Sequence, residues 1–341
     1  MPSIAFLILG LLGQHQSPPA LPPIDPQQAR LEQTISSLDA PGSALAYSER
    51  LGMLALGSDD GAIQVWDRDV LQGIRSGGRT SSVLHGHAGA VLALAWNDGP
   101  FLASAGSDRK VMLWSMPDGK ISQTIASEGL VRALALAPGG KVLAAAGDDG
   151  SIVLFDTATA KSVGKLEGHR DWVIALTFSH DGKLLASGGY DGQVKIWDVA
   201  SRKLLNSVMA RAAPSKEQPT PVANAVRALA FSHDDKIVAV GGTDTLIHLL
   251  QTSDGKLVRS MSGHASSVTA LGFHPGGAVL ASASKDRTVR LWDAAKGTML
   301  KSLEGHSSWV QGAAFVAAGT RLASVSADRT LRIWNLSPVG K

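Results

Sequence analysis

Short apolar runs separated by turn residues dominate the chain. Residues 268–273 lead into the turn His274-Pro275-Gly276-Gly277, residues 279–284 into Lys285-Asp286-Arg287, and residues 288–292 and 299–303 complete the set. Runs this short, bounded by turn formers, predict β-strands, four to a unit. The unit then repeats. SKDRTVRLWD at 284–293 returns as SADRTLRIWN at 326–335, GYDGQVKIWD at 189–198 and SDDGAIQVWD at 58–67. Weaker copies are GSDRKVMLWS at 106–115, GDDGSIVLFD at 147–156 and GTDTLIHLLQ at 242–251. Anchored on Trp66, Trp114, Phe155, Trp197, Leu250, Trp292 and Trp334, the copies lie 48, 41, 42, 53, 42 and 42 residues apart, which makes seven units.

One four-stranded sheet cannot bury both of its faces, but a ring of sheets can, each packed between two neighbours, and radial closure leaves only short, protected edges. The pattern therefore predicts an all-β fold, a seven-bladed β-propeller of four-stranded antiparallel blades. Gly-His pairs beginning at 86, 168, 263 and 305, each followed by Trp-Asp or a variant of it, resemble the WD-repeat family in its bacterial type, over roughly residues 28–337. The resemblance implies how the ring closes. The last unit ends after its third strand at 334–336, and residues 30–36, ahead of a first strand at 44–48, align with the missing fourth.

Composition narrows the function classes. With 32 Lys and Arg against 29 Asp and Glu, the net charge is only +3, and no basic tract is present, so nucleic acid is disfavoured as a partner. The absence of cysteine excludes disulfides, thiolate metal sites and a cysteine nucleophile. The start of the chain differs in kind. Residues 4–12 form an apolar run that resembles a secretory signal, too short to span a bilayer and with no Lys or Arg before it. Residues 1–17 thus read as a signal peptide, or alternatively as a weakly docked N-terminal segment; residues 18–27 read as a Pro-rich linker and residues 28–341 as the propeller. On the first reading the protein is exported to the periplasm or beyond, and on the second it is cytoplasmic.

Four units carry His, Ser, Asp and Trp at fixed offsets: His87, Ser104, Asp108 and Trp114; His169, Ser187, Asp191 and Trp197; His264, Ser282, Asp286 and Trp292; His306, Ser324, Asp328 and Trp334. Ser, His and Asp together invite a hydrolase reading. An enzyme, however, needs one exposed nucleophile beside an oxyanion site, and these sets recur around the ring. In the family the chain resembles they form a buried network in which Ser accepts from the indole N–H and Asp fixes the imidazole tautomer. The remaining units lose the members together. One has Ser127, Ala145 and Phe155, another Val222, Val240 and Leu250, and the first keeps Trp66 but has Leu38 and Leu56. Asp60, Asp149 and Asp244 persist in all three, as backbone turn geometry would require. No phosphate loop, His-Glu-x-x-His or Gly-x-Ser-x-Gly motif is present, and His180 and His233 read as residues of solvated turns. No catalytic residue, cofactor or metal is expected.

Subtracting the repeat consensus leaves the candidates for binding. Trp96 aligns with Phe178, Phe231, Phe273 and Phe315 in the first strand, which leaves only Trp172 and Trp309 unexplained. Both enter a first strand where the family exposes residues on the narrower face around the channel, and Tyr190 and Lys285 share that rim. They are either partner-binding anchors or aromatics that merely pack on neighbours. Arg132 and Arg227 occupy the slot that is Leu92, Ile174, Thr269 or Gln311 elsewhere, where a cation must reach water or an anion. The longest unit gains its extra length at 210–224, which reads as a disordered insert or as a loop on the same face. The expectation is a monomeric, non-catalytic scaffold that binds a protein or peptide on its narrow face. An enzyme or enzyme subunit with a site at the channel mouth is the competing class.

Overall fold

The computed structural model describes residues 24–36, 38, 40–72, 80–210 and 224–338. The signal-like run, most of the Pro-rich stretch and all but the ends of the 210–224 insert lie outside the described residues, as does Val222.

Seven four-stranded antiparallel sheets form, each taking its strands in chain order except the last. Blade six is representative, with strands Val268–Phe273, Val279–Ser284, Val289–Asp293 and Thr298–Leu303. The innermost strand of each blade touches that of the next, and Gly42–Ser48 of blade one meets Val310–Val316 of blade seven, so the ring is closed. Closure runs through the chain ends as the resemblance implied: Arg30–Ile35 pairs with Thr330–Asn335 as the outer strand of blade seven. Second and third strands are buried on both sides, because each lies inside a blade that is itself sandwiched. Ala55, Ile63 and Val65 of blade one, for example, share a core with Val91, Leu102 and Trp114 of blade two. One element departs from the repeat. Blade one inserts a helical turn, Arg68–Leu71, capped by the Asp67 carboxylate on Val70 N at 3.2 Å, before a short outer strand, Ser82–Leu84.

Two local features place side chains at the channel mouth. The residue after each turn aspartate has a left-handed backbone. It is glycine at 61, 150 and 192, but Arg109, Thr245, Arg287 and Arg329 in the other blades. A non-glycine residue there costs on the order of 1 kcal/mol, and the aspartate offsets it by accepting the backbone N–H two residues on, as Asp286 Oδ1 does from Thr288 N at 3.0 Å. The second feature is a register skip of one residue in the innermost strand of every blade, between Val131 and Ala133, Val226 and Ala228, and their counterparts. A bulge re-aims the extra side chain. The skipped residues include Leu92, Arg132, Ile174, Arg227, Thr269 and Gln311, and all six line one cavity.

Candidate interaction face

The four His-Ser-Asp-Trp sets are assembled alike. In blade two, His87 Nδ1 lies 2.9 Å from Asp108 Oδ1 and Nε2 2.8 Å from Ser104 Oγ, which also accepts from Trp114 Nε1 at 2.8 Å. His169, Ser187, Asp191 and Trp197 repeat this at 2.9, 2.8 and 2.8 Å. His264, Ser282, Asp286 and Trp292 do so at 2.7, 2.7 and 2.8 Å, and His306, Ser324, Asp328 and Trp334 at 2.9, 2.8 and 2.8 Å. All four serines are 0% exposed. A hydroxyl sealed from solvent, already accepting from an indole, is placed to hold the blade together and is out of a substrate's reach.

Charge in these networks follows from opposing effects. Burial alone pushes the Asp286 carboxyl up, but hydrogen bonds from His264, Thr288 and the backbone of Ala265 outweigh it and hold the group well below its ordinary range. Asp108, Asp191 and Asp328 are lowered by the same balance. Burial lowers His306 from its ordinary 6.5, against the pull of Asp328, and burial likewise lowers His274. Each group thus takes up its proton less readily in the folded chain than in the unfolded one. The stability this contributes is complete above the unfolded value and is lost as pH falls. The melting temperature should therefore decline in two stages on acidification, first below about 6.5 from the histidines and then more steeply below about 4 from the carboxylates. A thermal-unfolding series from pH 8 to 3 checks this, and a melting temperature flat down to pH 3 would remove the networks from the account.

The blades without the full set differ in an instructive way. Leu38 and Leu56 pack with Trp66 in one apolar cluster. In blade five Asp244 does more than shape its turn. It accepts from Leu246 N at 3.2 Å and also meets His248 Nε2 at 2.7 Å, while His248 Nδ1 lies 2.8 Å from Ser260 Oγ. An Asp-His-Ser network thus replaces the standard one, running from the buried His248 of the third strand out to the exposed Ser260. The Asp-x-x-x-His spacing across a tight turn was the sequence signal for it.

The rim residues gather at one mouth of the channel. Trp172, Tyr190 and Trp309 are 39, 39 and 52% exposed. The Trp172 and Tyr190 rings meet edge-on at 5.6 Å. Each has a cation over its face: the Arg132 guanidinium lies 4.2 Å from the Trp172 centroid, and that of Arg227 lies 5.5 Å from Tyr190, donating from Nη2 to its hydroxyl at 3.2 Å. Lys285 Nζ stands 4.2 Å over Trp309. Arg132 also pairs with Asp148. The two arginines are therefore not simply solvated in the channel; both are held on aromatic rings. A cavity of about 330 Å³ fills this mouth, and among the described residues its charged lining is cationic: Arg132, Arg227 and Lys285. Arg227 Nε and Gln311 Oε1 find no hydrogen-bond partner among the described residues. Trp309 and Tyr190 wall the cavity but Trp172 does not, so the two tryptophans do not both line it. Trp172 instead meets the cavity wall through its edge-on contact with Tyr190.

The opposite mouth is wider, about 720 Å³, and is ringed by Trp96, Phe178, Phe231, Phe273 and Phe315. There His180 Nδ1 contacts Asp235 of the next blade at 2.8 Å and its ring meets that of His233 at 5.5 Å, so these turns are tied to each other across blades as well as solvated. Among the described residues no cluster of His, Asp or Glu could hold a metal ion, and no helix is long and apolar enough to cross a membrane.

Comparison with known proteins bears on the repeat and not on the rim. The family model described as WD domain, G-beta repeat matches residues 78–115, 119–156, 160–198, 218–249, 255–293 and 297–335. The chain is 29% identical over 165 residues to nuclear distribution protein nudF 1 of Talaromyces marneffei, covering 47% of this chain and 34% of that protein. It is 32% identical over 132 residues to the periodic tryptophan protein 2 homolog of Dictyostelium discoideum, covering 38% of this chain and 14% of that protein. The matched stretch therefore spans about a third or less of either relative.

Proposed function

The chain belongs to the WD-repeat family, and on that premise we propose that it is a non-catalytic scaffold that binds a protein or peptide segment across the narrow mouth of its ring. The observation that carries this reading is the arrangement of three cations, each laid on an exposed or half-exposed aromatic ring, around one cavity that no acidic side chain among the described residues lines. Half-exposed Trp, Tyr and Arg are the residue types that dominate binding energy in interfaces. Asp148 neutralises Arg132, whereas Arg227 and Lys285 make no ion pair among the described residues. The partner segment that fits is thus an acidic one, with a carboxylate placed between those two cations and an apolar flank on Trp309.

Two variants separate this role from catalysis and from a merely structural one. Arg227→Glu with Lys285→Glu should cut capture of the principal partner by at least tenfold at an unchanged melting temperature. Ser187→Ala should do the opposite. It leaves Trp197 Nε1 and His169 Nε2 unsatisfied, costing about 1–3 kcal/mol of stability, and spares capture below the melting transition. Undiminished capture after charge reversal would exclude the acidic partner, and turnover of the captured molecule would exclude the scaffold.

A further inference from the structure

Blade three has lost its network and kept the space. Ser127 stands where its neighbours have the imidazole, Ala145 where they have the serine and Phe155 where they have the indole. The result is a cavity of about 330 Å³ between blades two and three, walled by Val111, Ile125, Val153 and Phe155, with Asp149 and Ser151 at its polar end. Phe155 and Val153 are only half-buried, although the corresponding Trp114 and Met112 are 1 and 3% exposed. The carboxylate at the polar end is under-used. Asp108 accepts from the His87 ring and from the backbone of Ala88 and Lys110, whereas Asp149, among the described residues, takes donors only from Ser151, through N at 3.0 Å and Oγ at 2.5 Å. A carboxylate has about four acceptor sites, so room for a ring N–H remains.

We propose that this cleft is a small-molecule site for a flat heteroaromatic ring bearing an N–H, seated beside Phe155 where the absent imidazole would lie. The apolar walls take the ring face, and Asp149 takes the N–H that His87 gives Asp108. The volume falls in the range of small-ligand pockets. Charge points the same way: Asp148 in the cleft is already paired with Arg132 and Lys165 with Glu167 at 3.0 Å, which leaves Asp149 and Glu128, so a donor ligand suits it and an anion does not. The cleft touches the channel mouth through Asp148, which pairs with Arg132.

The test is a titration of the full chain with benzimidazole, followed by amide chemical shifts and by melting temperature. Saturable binding with shifts confined to blades two and three is expected. The triple variant Ser127→His, Ala145→Ser, Phe155→Trp rebuilds the network, and should melt higher and bind the probe at least tenfold more weakly. If the triple variant does not fold, Val153→Phe fills the cleft with one side chain and should weaken binding in the same way. No saturable binding to the wild-type chain, or equal binding by a folded, filled variant, would overturn the site.

Discussion

Deleting residues 1–38 should open the ring, whereas deleting residues 1–23 should leave a folded monomer. The shorter deletion stops before Asp25, whose N–H donates to Leu336 O at 2.7 Å, and before the closing strand Arg30–Ile35. The longer one removes that strand's pairing with Thr330–Asn335 and the clamp in which Glu32 accepts from Arg321 Nε at 2.6 Å and from Asn335 Nδ2 at 3.2 Å. It also strips Ile35 and Leu38, 3 and 5% exposed, from a core they share with Leu331 and Ile333. Burying one such side chain contributes about 1.5–3 kcal/mol, so the two together with the strand hydrogen bonds are worth on the order of 5 kcal/mol. That is a large share of a total stability of about 5–15 kcal/mol. The melting temperature should drop by roughly 10 °C or more. The bared edge of Thr330–Asn335, a row of unpaired backbone groups, should make the protein associate on size-exclusion chromatography. Two truncations that melt alike and both elute as monomers would mean that this strand is dispensable for closure.

The repeat explains why the fold was so legible in the sequence. Seven copies of one pattern average away local ambiguity, and the offsets among His264, Ser282, Asp286 and Trp292 recur in two other blades and, with the histidine one residue closer, in a third, so their assembly could be anticipated as a unit. Even the missing fourth strand of the last blade could be aligned with residues 30–36, because the other six units showed where it belonged. What the repeat does not encode was harder to see. His248 joins Asp244 and Ser260 because a third-strand side chain in that blade turns toward its own turn, whereas Arg290, its counterpart in blade six, comes only within 3.9 Å of Asp286. Subtraction picked out Trp172, Trp309, Tyr190, Lys285, Arg132 and Arg227 as side chains the core does not need. It could not say that each cation would lie on the ring of a neighbouring blade, since contact between blades depends on rotamers and register and not on spacing. The edge-on contact of Trp172 with Tyr190 is of that kind.

Replacing both tryptophans, Trp172→Ala with Trp309→Ala, should abolish capture of the principal partner while lowering the melting temperature only slightly. The two effects separate because the rings are half exposed, so folding gains less from them than from a core tryptophan such as Trp114. Trp172 contributes an edge-on contact with Tyr190 and a platform for Arg132, each worth about 0.5–1.5 kcal/mol, and Arg132 keeps Asp148 when the ring is gone. Trp309 supports only Lys285. Binding should be hit much harder. Truncating an aromatic anchor typically costs 2 kcal/mol or more, about thirtyfold in affinity, and the losses here fall on two different arcs of the mouth. Trp309 removes a cavity wall, and Trp172 removes the backing that holds Tyr190 and Arg132 in place around it. The single variants should therefore rank Trp309→Ala above Trp172→Ala in lost affinity, since only the former touches the cavity. Isothermal titration with the captured partner, beside thermal unfolding of each variant, measures both quantities. Full affinity in a double variant that melts like the wild type would move the partner site off this mouth, most directly to the aromatic ring of Trp96, Phe178, Phe231, Phe273 and Phe315 at the other end of the channel.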